Sequence, residues 1–188
     1  MLDSDAPLPQ VRSSEIAYNG KLFDVEVDTL EMANGVEARR EIIKHPGAVC
    51  MVPVARDDKL LMVTQYRHAA RKRLLELPAG TLEPGEEPRL AAVRELQEEV
   101  GMNPGWVEPL GGFFVAPGYT TEYIHMFVCT ELREEPLAAD EDEDIEVVAV
   151  ELLDALRMID EGEIVDSKSI IGILRYWRSA IDKANDVL

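Results

Sequence analysis

The sequence predicts an α/β protein, an α/β/α sandwich with a mixed sheet, preceded by a small antiparallel strand domain. Two nearly continuous apolar runs, residues 48–55 and 60–66, are typical of strands that are covered on both faces. Two later segments, residues 88–101 and 169–186, repeat apolar residues at the spacing of an α-helix. Residues 15–44 instead consist of short strand-like segments separated by Asn-Gly pairs, which favour tight hairpins.

The composition limits the class of protein. A chain of 188 residues with 46% hydrophobic content fits one globular domain with a small appendage. The formal net charge of −18 argues against a general affinity for nucleic acid or for an anionic membrane. No apolar run reaches the ~18 residues of a membrane span, and the first ten residues do not resemble a secretory signal. We therefore expect a cytoplasmic protein in which Cys50 and Cys129 are buried free thiols.

Residues 1–44 are expected to form the strand domain and residues 45–188 the main domain. The first 14 residues are predicted to be a loose leader. Three strands follow, separated by turns at Asn19-Gly20 and Asn34-Gly35, and they cover residues 15–18, 22–30 and 36–44. A meander of this size buries too little surface to be stable alone, so it must pack against the main domain or a second subunit.

The main domain is predicted to mix strands and helices. Pro53 lacks a backbone N–H and therefore indicates a bulge or an unpaired edge. Further strands are predicted at 106–115, 122–132 and 145–151, and helices at 152–160 and from 169 to about 186. Ser167 is a candidate cap for the last helix, whose predicted apolar stripe is Ile170, Ile173, Leu174, Trp177 and Ile181.

The segment 80–102 combines a Gly/Pro turn with one amphipathic helix. Pro88 suits the first turn of a helix, and Gly101 suits the position after its end. Helical spacing divides the remaining side chains into an apolar stripe of Leu90, Val93, Leu96 and Val100 and an opposite face that carries Glu95, Glu98 and Glu99.

The three glutamates have two interpretations. Their spacing alone favours a solvated acidic face. However, Glu98 and Glu99 occupy the last turn, where the helix dipole disfavours each carboxylate by ~0.3–1 kcal/mol. Glu95 and Glu99 repel each other four residues apart, and Arg94 offers the only local relief. A bound cation removes these penalties, and a site made only of oxygen ligands favours Mg²⁺ or Mn²⁺ over zinc.

This segment resembles the Nudix box, Gly-x5-Glu-x7-Arg-Glu-apolar-x-Glu-Glu-x-Gly-apolar. Every fixed position of the box is filled, by Gly80, Glu86, Arg94, Glu95, Leu96, Glu98, Glu99, Gly101 and Met102. The resemblance implies the Nudix fold for residues 45–188. It also implies a loop–helix–loop that holds a divalent metal ion against the diphosphate of a nucleoside-diphosphate derivative.

Most of residues 40–170 is also similar to the ADP-ribose pyrophosphatase branch of the Nudix family. The shared stretches are Arg40-Glu41, Gln65-Tyr-Arg67 and residues 75–80, 116–122 and 163–169. Where that branch usually has Ser-Pro-Gly, this chain has Ala116 before Pro117-Gly118, so we expect the loop to keep its fold and lose one hydroxyl. The resemblance further implies that the strand domain is exchanged across a homodimer and contributes to the nucleoside pocket.

The resemblance implies a role for each matching residue in metal binding. The expected metal ligands are Glu95, Glu99 and the carbonyl of Ala79, and Glu98 could join directly or through water. Arg94 is expected to orient the glutamates, or to form an ordinary i, i+4 ion pair, and both can hold.

The candidate substrate contacts follow from the same resemblance. Arg40 and Arg67 could bind the diphosphate or the terminal ribose, because guanidinium forks suit phosphate oxygens, or they could be surface charges. Glu122 could bind ribose hydroxyls or water, or simply cap its loop. Tyr18, Phe23 and Tyr66 could stack on adenine, with a core position as the alternative.

The catalytic base is expected in the acidic loop 140–144. Such a loop is usually a solvated turn. In ADP-ribose pyrophosphatases, however, a glutamate from the corresponding loop closes over the metal ions when substrate binds. Glu141 and Glu143 are the two candidates here, and Glu141 is favoured. Glu98 and Glu122 are next in line.

These features predict Mg²⁺-dependent hydrolysis of ADP-ribose to AMP and ribose 5-phosphate, with Mn²⁺ as a possible substitute. The expected partner is a small nucleoside-diphosphate sugar, and neither nucleic acid nor a membrane. The nearest alternative is a hydrolase of another nucleoside-diphosphate sugar. A non-catalytic ADP-ribose sensor is a third possibility, against which the intact Glu95, Glu98 and Glu99 argue.

Overall fold

The computed structural model describes residues 8–138 and 144–185, with side chains described up to residue 182. The chain divides into two compact units. The first comprises Met1–Pro46 and Phe114–Glu122, and the second comprises Gly47–Phe113 and Tyr123–Leu188. No sequence pattern indicated that the segment after residue 113 belongs with the N-terminal strands.

The first unit contains an antiparallel sheet of order β1-β2-β3, formed by β1 (Gln10–Asn19), β2 (Asp24–Glu31) and β3 (Glu37–Lys44). Both connections lie at the predicted Asn-Gly pairs. The prediction of a loose leader is wrong for residues 10–14, which belong to β1. Contacts with β2 stabilise this strand; for example, the Ser14 hydroxyl donates to the Asp28 carboxylate on β2 at 2.5 Å. No local sequence pattern shows such contacts.

The loop Phe114–Glu122 is hydrogen-bonded to β3 within the first unit. The Ile43 N–H donates to the Tyr119 carbonyl at 2.8 Å, and the Ile43 carbonyl accepts from the Thr121 N–H at 2.9 Å. Inside the loop, the Ala116 carbonyl accepts from the N–H groups of Tyr119 and Thr120 at 3.1 Å each. Because backbone groups alone close this turn, alanine at position 116 does not disturb it.

The second unit contains two sheets. Its strands are β4 (Ala48–Pro53), β5 (Leu60–Arg67), β6 (Lys72–Glu76), β7 (Ala79–Thr81), β8 (Met102–Phe114), β9 (Tyr123–Glu134) and β10 (Ile145–Val150). The mixed sheet has the order β7-β4-β9-β8, with β4 parallel to β9 and antiparallel to β7, and the other sheet is antiparallel with the order β10-β5-β6. β7 pairs only with the first half of β4, so Pro53 lies beyond that ladder. β6 was not predicted, because its charged residues conceal the strand.

The helices are α1 (Pro88–Glu99), α2 (Leu152–Asp160) and α3 (Ser167–Asn185). Cores form on both faces of β4: alternate residues pack with α2 and α3 on one face and with α1 on the other. The predicted α/β/α sandwich is therefore confirmed. Cys50 and Cys129 are buried free thiols in these two cores, and burial raises the pKa of Cys129 to about 12. No helix in the described part of the chain is long and apolar enough to cross a membrane.

The buried face of α1 differs from the prediction. Leu90 is 62% exposed, whereas Ala91, Ala92 and Leu96 are fully buried. The small alanines face the core and Leu90 points to solvent, so the buried face is rotated away from the predicted stripe. This rotation also brings Glu99, at the end of the helix, to 7% exposure.

The last helix also departs from the prediction at two points. Asp166 rather than Ser167 caps α3, because its carboxylate accepts from the Ser169 N–H at 3.0 Å. Of the predicted apolar stripe, Ile173 is fully buried, whereas three members are about two-fifths exposed: Leu174, Trp177 and Ile181.

Candidate active site

The box residues lie on β7, on the loop after it, on α1 and, at Gly101 and Met102, from the end of α1 to the start of β8, all within the second unit. The loop contains a tight turn, in which the Glu86 N–H donates to the Glu83 carbonyl at 3.0 Å. Pro84 and Gly85, the latter with φ 78°, are the residues that a type II turn favours. The Glu83 N–H donates to the Glu86 carboxylate at 3.1 Å, which folds that side chain back over the loop.

Arg94 lies at the centre of a cluster of carboxylates. Its Nε and Nη2 each donate to one carboxylate oxygen of Glu86 at 2.9 Å, a bidentate geometry. Its Nη1 donates to Glu95 at 2.7 Å and to Glu98 at 2.9 Å. The hydrogen bonds between Arg94 and Glu86 lower the pKa of Glu86 and raise that of Arg94, so both groups stay charged.

Gly80 is required by the position of Glu95. A Cβ atom on Gly80 would lie 1.8 Å from the carboxyl carbon of Glu95. No residue with a side chain fits there unless the Glu95 carboxylate moves. The box therefore requires glycine at this position, because the Glu95 carboxylate lies directly against the backbone of β7 and leaves no room for a side chain.

Glu99 connects the end of α1 to the start of β7. Its Oε2 accepts from the Ala79 N–H at 3.0 Å, and the residue is 7% exposed. This contact places a buried carboxylate beside Ala79, the residue whose carbonyl was predicted to bind metal.

The donor set of this cluster suits a hard divalent cation. Glu86, Glu95, Glu98 and Glu99 supply four carboxylates; the guanidinium of Arg94 contacts the first three, and Glu99 accepts from the Ala79 N–H. An excess of oxygen donors over cations favours Mg²⁺ or Mn²⁺. In the part of the chain that the structure describes, no three acidic, histidine or cysteine side chains converge closely enough to surround an ion. Glu95 and Glu98 are instead bound by Arg94.

Arg67, a predicted substrate contact at the end of β5, is held by Glu76. Its Nε and Nη2 donate to the Glu76 carboxylate at 3.1 and 2.8 Å. Burial lowers the pKa of Arg67, but the hydrogen bond and charge of Glu76 outweigh it and leave the pKa raised. The side chain is 40% exposed, and among the described residues its Nη1 has no hydrogen-bond partner. The guanidinium is thus fixed along one edge and open along the other.

The other predicted substrate contacts lie in the first unit. Tyr18 and Phe23 flank the first hairpin turn with ring centroids 6.3 Å apart, and Tyr18 is 57% exposed, which excludes a core position for it. Arg40 lies exposed on β3, and its Nη1 donates to the carbonyl of Arg39 at 2.8 Å. Glu122 ends the loop 114–122 and is half-buried.

Tyr66 belongs to the second unit and is 48% exposed, which again excludes a core position. Glu141 and Glu143, the candidates for the catalytic base, lie outside the described residues.

Sequence reasoning missed a second charged cluster behind the box. It consists of Arg67, Glu76, Asp166, Lys168 and Ser169. Two signals could have revealed it. Glu76 interrupts an apolar stretch, and Lys168 stands in the first turn of a helix, where the dipole disfavours a cation unless an acid compensates.

Comparison with known proteins gives one matching family model, two similar relatives and one similar solved structure. The model of the NUDIX domain matches residues 44–170. The chain is 40% identical over 163 residues to the ADP-ribose pyrophosphatase of Bacillus subtilis (strain 168), covering 86% of this chain and 88% of that protein. It is equally identical, 40% over 162 residues, to the methanol dehydrogenase activator of Bacillus methanolicus, covering 85% and 88%. A crystal structure of an ADP compounds hydrolase matches with a TM-score of 0.85 and 26% identity, covering 94% of this chain and 96% of that one.

Proposed function

Because this chain belongs to the Nudix family, we propose that it is a Mg²⁺-dependent pyrophosphatase that hydrolyses ADP-ribose to AMP and ribose 5-phosphate. Water adds to one phosphorus of the diphosphate, the P–O–P bridge breaks, and the water loses its proton to a base. The observation that carries the proposal is the complete carboxylate cluster around Arg94 and Ala79, in a chain 40% identical to an ADP-ribose pyrophosphatase.

The metal ion would be held by Glu95, Glu99 and the carbonyl of Ala79, with Glu98 as a direct or water-mediated ligand. When bound, a divalent cation supplies positive charge against the diphosphate and eases deprotonation of water. Arg94 keeps the carboxylates of Glu95 and Glu98 in place while the substrate enters. The excess of carboxylates over cations in this cluster supports the assignment.

Arg67 would bind the diphosphate or the terminal ribose through its Nη1, which has no hydrogen-bond partner among the described residues. Its other edge is already held by Glu76, so little side-chain entropy is lost on binding. Arg40, Glu122, Tyr18 and Phe23 would supply the remaining contacts, with the exposed ring of Tyr18 available for stacking on adenine.

Glu141 would accept the proton of the attacking water, with Glu143 as the alternative. This assignment rests on the sequence of the acidic loop and on its resemblance to ADP-ribose pyrophosphatases. Arg94 holds Glu95 and Glu98, and Ala79 holds Glu99, so the described carboxylates of the cluster are already engaged.

The protein would act as a cytoplasmic homodimer on a small molecule. Residues 1–44 would form a strand domain that is exchanged between protomers, and residues 45–188 the Nudix domain. The exposed apolar side chains of β1 support the dimer, and the buried free thiols suit a reducing compartment.

A hydrolysis panel tests the proposal. The protein is freed of metal with a chelator and then assayed with ADP-ribose, a GDP-sugar and a UDP-sugar, with and without Mg²⁺. We expect ADP-ribose to give the highest kcat/KM and to yield AMP and ribose 5-phosphate in equal amounts, and only when Mg²⁺ or Mn²⁺ is present. Faster turnover of another sugar nucleotide would show that this compound, and not ADP-ribose, is the substrate. Binding of ADP-ribose without hydrolysis would indicate a sensor. Full activity without metal would refute the metal site.

A further inference from the structure

Lys168 is a buried cation between two acids. It is 8% exposed, and its Nζ donates to Asp166 at 2.9 Å and to Glu76, which is 1% exposed. Burial lowers the pKa of Lys168, but the charges of Asp166 and Glu76 outweigh it and leave the pKa raised. The lysine is therefore charged at the start of α3, where the dipole disfavours a cation. Such an arrangement is stable only if the contacts with Asp166 and Glu76 compensate for burying the charge and for placing it at the positive end of the helix dipole.

Ser169 connects the start of α3 to Leu77, the residue that follows Glu76 in the chain. Its hydroxyl, which is fully buried, accepts from the Leu77 N–H at 2.7 Å and donates to Asp166 at 2.6 Å. Two successive residues, Glu76 and Leu77, are thus attached to two successive residues of α3.

The attachment continues directly into the candidate metal site. The Pro78 carbonyl accepts from the Met51 N–H at 2.9 Å, and the ring of Pro78 fixes its own φ. The Ala79 N–H then donates to Glu99 at 3.0 Å. Every residue from 76 to 79 therefore has a contact, and the contacts made by Lys168 and Ser169 hold the first two of them.

We propose that Lys168 and Ser169 are positioning residues for the metal site: by holding Glu76 and Leu77 they set the Ala79 carbonyl and Glu99 at ligand geometry. This assignment rests on the proposed function, since it presumes that the box cluster binds a divalent ion. Neither residue belongs to the Nudix box. Contacts behind the ligands orient them in metal sites generally, and their loss typically lowers metal affinity ~10–100-fold.

The test measures metal binding without substrate. Full-length protein is titrated with Mn²⁺, and the free ion is quantified from its electron paramagnetic resonance signal. We expect Ser169→Ala and Lys168→Met to weaken Mn²⁺ binding by ~10–100-fold. Ser169→Thr, which retains a hydroxyl, should restore the parent affinity.

Arg175→Met provides a matched control on the same helix. Arg175 is a half-buried cation that donates to the carbonyl of Leu110 at 3.1 Å, so its loss should destabilise the fold without weakening Mn²⁺ binding. Thermal denaturation identifies variants that remain folded, and Ser169→Ala is the milder change if Lys168→Met unfolds. Unchanged Mn²⁺ affinity in folded Ser169→Ala overturns the positioning role alone. A parent protein that binds no Mn²⁺ overturns the metal site and this role together.

Discussion

Glu99 combines burial with a place at the end of α1, where the helix dipole disfavours a carboxylate. Glutamine there keeps an oxygen to accept the Ala79 N–H and removes only the charge. We expect Glu99→Gln to lower kcat by more than ~100-fold, because a ligand should matter more than the groups behind it. The melting temperature should change little, since the substitution also relieves repulsion. Steady-state kinetics and thermal denaturation test this together.

Glu87→Gln is the matched control for Glu99→Gln. Glu87 is the exposed N-cap residue of α1, and its side chain makes no capping hydrogen bond. Its loss of charge should leave kcat unchanged. Equal loss of stability and activity in Glu99→Gln would indicate a structural glutamate instead.

Glu141 is the residue whose substitution distinguishes chemistry from binding. General-base assistance is typically worth ~10²–10⁴-fold, so Glu141→Gln should lower kcat within that range. Substrate affinity should stay nearly intact, because a base contributes mainly in the transition state. Glu143→Gln should have a smaller effect. If both single variants and the double variant retain the parent kcat, the base lies elsewhere, with Glu98 or Glu122 next to be tested.

Among the elements, α3 packs closely on the strands next to the site, and Gly172 permits this. A Cβ atom at Gly172 would lie 2.6 Å from Leu77 Cδ1 and 2.7 Å from Met126 Cε, and both of those residues are fully buried. Gly172→Val should therefore lower the free energy of unfolding by about 1–3 kcal/mol, measured by urea denaturation.

Arg178→Val is the control for this packing. It introduces the same residue into the same helix at a side chain that is 84% exposed, so the free energy of unfolding should change by only about 0.5 kcal/mol. Valine has a higher helix propensity than glycine, so a loss of stability at position 172 must come from packing. If Gly172→Val destabilises the protein no more than Arg178→Val does, close packing at Gly172 is refuted.

Local signals allowed part of this architecture to be predicted from the sequence. Pro88 and Gly101 mark the ends of α1 because a first-turn proline and a glycine with positive φ are local requirements, and here Gly101 has φ 75°. The exposure of Leu90 could not be predicted in the same way. Helical spacing defines several adjacent faces, and which one is covered depends on how closely the helix approaches the sheet.

In the candidate site, too, some contacts can be predicted from local sequence and others depend on the tertiary fold. The contacts of Arg94 with Glu95 and Glu98 join residues one and four positions apart, so spacing along a helix reveals them. The contact between Lys168 and Glu76 joins residues 92 positions apart. Only the tertiary fold brings those two together, and no periodic pattern in the sequence encodes it.

The whole molecule leaves an apolar strand edge exposed. β1 is the outer strand of the first unit's sheet, and all ten of its residues are exposed. Val11, Ile16 and Tyr18 are 57%, 54% and 57% exposed. Soluble proteins usually cover or charge such an edge, so we expect a second copy of the chain to cover it. Sedimentation should give about twice 21.0 kDa.

A charge on this strand should separate the protomers. Ile16→Lys is expected to shift sedimentation towards the monomer, because a lysine is costly to bury at an apolar contact. Leu153→Lys, at a residue that is 75% exposed on α2, should leave the dimer intact. A parent protein that sediments as a monomer with full activity would refute the dimer.

Exchange of the strand domain makes a stronger prediction than dimerisation alone, because it assigns Arg40 and Glu99 of one active site to different protomers. Arg40→Gln and Glu99→Gln dimers should each be nearly inactive. After mixing and subunit exchange, half of the dimers should be mixed, and each should contain one site with both residues intact. Activity should then rise to about a quarter of the parent value. If both residues of a site came from one protomer, every mixed site would lack one of them, and mixing would restore no activity.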